Sequence, residues 1–201
     1  MNVGAESVTD YGTYFAWGET SGYTSESDYA KKHFSWDTYA WCKGSNNTFT
    51  KYCPTAMQDS YWWDTSKVDA DNKTQLEYAD DAARANWGGA WRMPTQEEFE
   101  ELIANTTVSY YFGETKYHGA NGILLTSTVS GYTDKSIFLP AAGYRNGSSF
   151  DYQGSDGNYW SSTLYSDRPY RAWYLFFSDG YVSTRNYGRF GGYTVRAVLK
   201  N

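Results

Sequence analysis

The sequence predicts an α+β domain, two helices packed on a mostly antiparallel sheet with long ordered loops. Three observations predict it. Thr95-Gln96-Glu97-Glu98 is a capping box just after Pro94, where the Thr hydroxyl and the Glu98 carboxylate satisfy opposite free N–H groups. Asp179-Gly180 sits between two segments of strand character, a strong hairpin signal. After Asn105 the texture turns from helix formers to β-branched and aromatic residues.

In chain order, residues 1–75 carry Gly, Ser, Thr, Asp and short aromatic runs such as Tyr14–Trp17 and Thr38–Trp41. These read as brief strands within long ordered loops. A first helix is expected over Gln75–Asn86, with Leu76, Ala79 and Ala83 at helical spacing and Gly88-Gly89 as the stop. The capping box opens a second helix that buries Phe99, Leu102 and Ile103. Ile123–Val129 and Ser136–Leu139 form a hairpin about Gly131. Ala172–Ser178 and Tyr181–Arg185 form another, and Thr194–Leu199 makes a final strand.

The chain has 201 residues, enough for one domain with a sizeable core. Aromatics make up 20% of it, too many for a disordered chain. No apolar run approaches the roughly 18 residues a membrane-spanning helix needs. Met1–Glu6 has neither a basic region nor an apolar stretch, so no signal peptide is visible, and export would need a segment outside this sequence. Cys42 and Cys53 flank a turn-like Asn46-Asn47-Thr48, and either a short disulfide loop or two free thiols fits them.

Net charge is −6, which argues against nucleic acid as a partner. From Tyr159 onward, however, six cations (Arg168, Arg171, Arg185, Arg189, Arg196, Lys200) face two anions (Asp167, Asp179), a net +4 that leaves −10 on the remainder. A basic, aromatic end would favour an acidic partner. The plainer reading is that Arg covers aromatic faces by stacking.

That end reads as a binding surface over a scaffold. Leu175, Phe177, Val182 and Val195 suit a core face. The expected ligand-binding residues are Tyr174, Phe176, Tyr181, Ser183, Arg185, Asn186, Tyr187 and Phe190, with Tyr170 and Arg171 at the edge. Tyr gives rigid contact area at low conformational cost, and Ser, Gly and Asn give adaptable hydrogen bonds, as in a paratope. Sugar-stacking sites and aromatic-rich cores share the pattern.

Several motifs then resemble one family. Asn2–Ala5 (NVGA), Tyr11–Glu19 (YGTYFAWGE), Ala79–Ala83 (ADDAA), Trp87–Thr95 (WGGAWRMPT) with Glu98-Phe99, Phe138–Arg145 (FLPAAGYR), Tyr159–Ser162 (YWSS) and Val195–Val198 (VRAV) follow one another along nearly the whole chain. Together they are similar to paralogous surface domains of gut Bacteroidetes and Fibrobacter, related to the formylglycine-generating-enzyme branch of the C-type lectin fold. The resemblance implies a C-type-lectin-like fold and an extracellular, cell-surface or phage-particle location. It also implies a non-enzymatic recognition role toward an unknown protein or glycan ligand on another cell or phage. Members include variable proteins of diversity-generating retroelements, whose C-terminal codons are rewritten at template adenines. Residues 159–198 resemble such a variable segment. A carbohydrate-binding or structural surface domain without diversification is the alternative. Relatives carry a strand before the NVGA motif, which in the fold pairs with the last strand. Here Met1 stands directly in front, so truncation or a different pairing of Thr194–Leu199 is expected. Ala197 also replaces the family's proline.

Enzyme chemistry of the formylglycine-generating type needs a C-terminal cysteine pair, and no cysteine follows Cys53. The lectin calcium motifs are missing. No cofactor is expected; a structural calcium would sit at Asp69-Ala70-Asp71-Asn72 or at backbone oxygens elsewhere, and a solvated Asp turn is the simpler reading of that segment. His33 and His118 lack partners at informative spacing, and Glu97, Glu98, Glu100 and Glu101 suit the helix macrodipole. Trp87, Trp91 and Trp160 are expected as core anchors, with Ser161 and Ser162 bonding nearby backbone.

Overall fold

A computed structural model of the chain describes residues 1–24, 32–54 and 70–199. Its elements are mostly antiparallel strands with two α-helices, an α+β fold. In order these are a 3₁₀ turn (Tyr78–Asp80), α1 (Ala82–Trp87), β1 (Trp91–Arg92), α2 (Gln96–Ala104), β2 (Thr106–Tyr111), β3 (Gly122–Ser127), β4 (Ser136–Pro140), β5 (Tyr144–Asn146), β6 (Ser149–Asp151), β7 (Gly157–Leu164), β8 (Arg171–Ser178), β9 (Tyr181–Gly188) and β10 (Val198–Leu199). They pair as β2-β3-β4, β5-β6, β7-β8-β9 and β1-β10, each pair antiparallel.

The capping box forms as the sequence requires. Glu98 N–H donates to Thr95 Oγ1 at 3.2 Å and Thr95 N–H to Glu98 Oε2 at 2.8 Å. Arg92 then grips the same carboxylate through both guanidinium nitrogens, at 2.5 and 2.6 Å, which together with the capping bonds holds the Glu98 carboxyl below its ordinary range. α2 lays Phe99, Leu102 and Ile103 against Ile123, Leu125, Leu139, Leu175 and Phe177. This cluster is the core between α2, β2-β3-β4 and the inner face of β7-β8-β9.

The first helix is shorter than its periodicity predicts. Gln75 instead bridges to Thr163, and Leu76 N–H donates to Ser162 O at 2.9 Å, so this stretch is spent on sheet contacts. The chain enters α1 only at Asp81, whose buried carboxylate accepts from Arg84 N–H at 3.0 Å and Met93 N–H at 2.8 Å. Gly88 at φ +67° ends it. Both expected hairpins form, and Gly180 at φ +75° closes the β8-β9 turn.

The last strand departs from expectation. Val3 N–H donates to Val195 O at 2.9 Å, Phe15 bridges Tyr193, and Thr194 runs parallel to Tyr159. The segment is threaded between the N-terminal loops and β7 by single bridges, and only Val198–Leu199 pairs as a strand, with β1. Arg196 fastens it, donating to Asn2 Oδ1 at 3.1 Å and Phe138 O at 2.8 Å. Trp160 is fully buried and donates to Phe15 O at 2.9 Å, while Ser161 and Ser162 bond Trp173 O and Pro94 O. Trp87 and Trp91 are only half-buried and meet edge to face at 4.9 Å, a flank rather than an anchor.

Other sequence readings are settled locally. Cys42 and Cys53 are both free, and burial pushes the Cys53 thiol up to about 11. Asp69 lies outside the described residues. The half-buried Asp71 carboxylate is engaged by backbone, accepting from Tyr52 and Cys53 at 2.7 Å and from Lys73 at 3.1 Å.

Removing the Thr95 hydroxyl by Thr95→Ala should cost about 1 kcal/mol, read as a lower urea midpoint with unchanged slope. No loss would mean that the Arg92–Glu98 contact holds the helix start alone. Burial also raises the phenol pKa values of Tyr14, Tyr39, Tyr52, Tyr159 and Tyr193. These groups stay neutral in the native protein, whereas the unfolded chain ionises near pH 10, so their contribution is full below about pH 10 and is lost as pH rises through the native values. The urea midpoint should therefore be level up to about pH 9 and fall beyond about pH 10, with the buried phenolates appearing in the absorbance only as the protein unfolds. Ionisation of all 21 tyrosines together in a still-folded protein would contradict this.

Candidate ligand-binding face

The β7-β8-β9 sheet has two sides, and register assigns every side chain to one of them. Cross-strand rows place Asn158, Phe176 and Ser183 together, then Trp160, Tyr174 and Arg185, then Ala172 with Tyr187, and at the turn Ser178 with Tyr181. The opposite side carries Leu175, Phe177 and Val182 into the core with α2. It also carries Thr184, whose hydroxyl donates to Glu100 Oε1 at 3.1 Å.

Six of the ten expected residues fall together. Tyr174, Phe176, Tyr181, Ser183, Arg185 and Tyr187 share the outer side, as expected from alternation. Among them Tyr181, at 46% exposed, and Arg185 stand in solvent, while Phe176, Ser183 and Tyr187 are half-buried. The Arg185 guanidinium lies 3.9 Å over the Phe176 ring centroid and 5.1 Å from that of Tyr181. Ser183 and Arg185 hold the Tyr181 phenol below its ordinary pKa.

The other four sit elsewhere. Arg171 and Asn186 are on the α2 side, where Arg171 Nη1 donates to Asn186 Oδ1 at 2.9 Å, because a period of two puts positions 171 and 186 opposite to 174 and 185. Tyr170 is 8% exposed in the cluster with Phe34, Tyr39 and Phe49, and Phe190 packs edge-on to Trp36 at 4.7 Å. Tyr174, although on the outer side, is 7% exposed, since Trp160 and Tyr193 cover it at 5.9 and 4.8 Å. Tyr170 and Tyr174 are thus packed into the core rather than displayed.

The basic C-terminal end does not form a basic patch. Arg189 is fully buried, its guanidinium 3.9 Å from Phe49 and near Tyr39 and Trp17, with Nη1 donating to Lys51 O at 3.1 Å. Arg196 is tied to Asn2 and Phe138, and Arg171 to Asn186. Of these cations only Arg168 and Arg185 are exposed among the described residues. The stacking role holds, and the acidic-partner expectation loses most of its charge.

The face extends beyond residues 159–198. Tyr193 lies beneath it, stacked on Trp160 at 4.2 Å and on Tyr187 at 5.7 Å. Tyr187 leans on Tyr144 at 6.0 Å, and Tyr144 stacks on Tyr152 at 6.1 Å. Tyr144 and Tyr152 come from β5 and the end of β6, and Tyr152 is 60% exposed. Burial, with Tyr187 and Asp151 nearby, pushes the Tyr144 phenol up to about 12. The composition argument missed both. The signal that could have found them is Gly147-Ser148, a two-residue turn between Asn146 and Ser149.

Among the described residues no group of three His, Cys, Asp or Glu is arranged to hold a metal ion, and no helix is long and apolar enough to cross a membrane. Comparison with curated proteins and with solved structures gave no match. The family comparison did: residues 6–199 match the model of the Lcl C-terminal domain, and the chain belongs to that family.

Proposed function

We propose that this protein is a non-enzymatic recognition domain, presented outside the cell or on a phage particle, that captures a ligand on the outer side of β8-β9. Membership of the Lcl C-terminal domain family supports a ligand-binding surface domain. The single observation that carries the reading is the exposed Tyr181–Arg185–Phe176 cluster. A large ring at 46% exposure and an arginine with no carboxylate within ion-pair distance among the described residues offer contact area and donors to a partner. The cluster stands on a sheet whose other side is packed core, so its geometry is set before a ligand arrives.

The C-type-lectin relationship and diversification by a retroelement belong to the same proposal. Of the outer-side positions, 181 and 185 are exposed, whereas 176 and 183 are half-buried. Tyr174, Tyr187 and Phe190 carry packing, so a mutagenic template would have to spare them or replace them with rings. The corresponding genomic sign is a near-copy of the encoding DNA beside a reverse transcriptase gene, differing at template adenines.

Tyr181→Ala and Arg185→Ala should each weaken ligand capture, Tyr181→Ala by about 2 kcal/mol, with melting temperature nearly unchanged. Pull-downs from surface extracts with wild-type and variant protein, followed by titration of the captured ligand, read this directly. Equal capture by wild type and the double variant would reject the face. Competition by free glycans would favour the undiversified carbohydrate-binding alternative. Tyr187→Ala is unsuited to the purpose, because its ring also packs on Tyr193, Tyr144 and Phe190.

A further inference from the structure

We propose that the β5-β6 end of this face is a separate subsite for an arginine side chain of a protein ligand, built from Asp151, Tyr144 and Tyr152. The inference deepens the recognition reading above, rests on it for the face being a binding surface, and commits the ligand to a protein.

Tyr144 and Asp151 are direct cross-strand partners, so both side chains leave the hairpin on one side. The half-buried Asp151 carboxylate has no hydrogen-bond or ion-pair partner among the described residues. Burial is the main cause that raises the Tyr144 and Tyr187 phenols; the Asp151 charge adds to it at both rings, while Arg171 acts in the opposite sense on Tyr187. The site is therefore negative and aromatic at once. A carboxylate without a partner beside tyrosine rings offers a cation both an ion pair and a ring face.

Tyr152 adds an independent observation. It holds φ +59°, a left-handed conformation uncommon for a side chain of this size, and still exposes 60% of its surface. Its carbonyl accepts from both Ser155 and Asp156 N–H, at 2.9 and 3.0 Å, which fixes the turn. Backbone strain combined with a displayed ring gives the fold little return and belongs where a partner collects it.

The chemistry selects guanidinium over ammonium. A guanidinium plane stacks on the open face of a Tyr ring while its N–H fork meets a carboxylate edge. The protein already uses that stacking internally, with Arg185 on Phe176, Arg189 on Phe49 and Arg145 4.5 Å from Phe150. Tyr144 and Tyr152 lie 6.1 Å apart with planes 18° from parallel, too close to admit any cation between them, so the guanidinium sits on the outer face of the pair.

The test uses the whole chain with ring-labelled tyrosine and three probes: N-acetylarginine methylamide, N-acetyllysine methylamide and tetramethylammonium chloride. The arginine probe should shift the Tyr144 and Tyr152 ring signals saturably, and more tightly than the other two. Asp151→Asn and Tyr152→Ala should each weaken it roughly two- to fivefold. Equal or tighter binding of the lysine or tetramethylammonium probe overturns the guanidinium assignment, and an unaltered arginine titration in Asp151→Asn overturns the site. The same titration in the Tyr181→Ala, Arg185→Ala double variant separates this inference from the ligand-capture reading. Unchanged arginine binding supports the subsite whatever β8-β9 captures, and lost binding moves the probe to β8-β9 and overturns it.

Discussion

A column of stacked rings connects the core to the candidate face, and the geometry of that face depends on it. Trp160 and Tyr193 stack at 4.2 Å deep inside, Tyr193 and Tyr187 at 5.7 Å, Tyr187 leans on Tyr144 at 6.0 Å, and Tyr144 stacks on Tyr152 at the surface. Exposure rises along it from nil at Trp160 through 1% at Tyr193 to 60% at Tyr152. Its members come from β7, the threaded C-terminal segment, β9, β5 and the end of β6. Backbone bridges from Tyr159 to Thr194 and from Arg145 to Gly192 tie these elements together, and the rings pack along those ties. Close packing transmits displacement, and a change at Tyr193 would be felt at the surface.

Arginine serves the same end. A guanidinium is weakly hydrated and planar, so it can cover a ring or sit inside an aromatic box where an ammonium would be costly to desolvate. Arg189 does this in full burial between Phe49, Tyr39 and Trp17, and Arg185 does it at the surface on Phe176. The positive charge counted at the C-terminal end is therefore mostly structural. On the face itself Arg185 is the exposed guanidinium among the described residues, a directional contact rather than a long-range field.

Much of the fold was legible in the chain because its signals are local. The capping box at Thr95, the stop at Gly88 and the Asp179-Gly180 turn each act within four residues, and tertiary packing did not override them. The first helix was overestimated where Gln75 and Leu76 are claimed by β7, a contact about 87 residues away that periodicity cannot register. The final strand failed for the same reason, since its partners Val3, Phe15 and Tyr159 are scattered along the chain. For the face, alternation sorted the outer-side residues of β8 and β9 correctly but treated Arg171 and Asn186 as their neighbours, which register forbids.

Composition alone cannot separate a tyrosine that binds from one that supports. Tyr174 and Tyr181 lie on the same side of one hairpin, yet one is 7% exposed and the other 46%, because only Tyr174 has Trp160 and Tyr193 against it. The distinction lies in the third strand of the sheet and in the segment threaded past it. Along β9, which borders its sheet, the outer side runs from Tyr187 in the aromatic column through exposed Arg185 and half-buried Ser183 to exposed Tyr181 at the turn. Variation or selection for binding therefore carries least structural cost at the turn end, and residues near Gly188 are held by the rings they support.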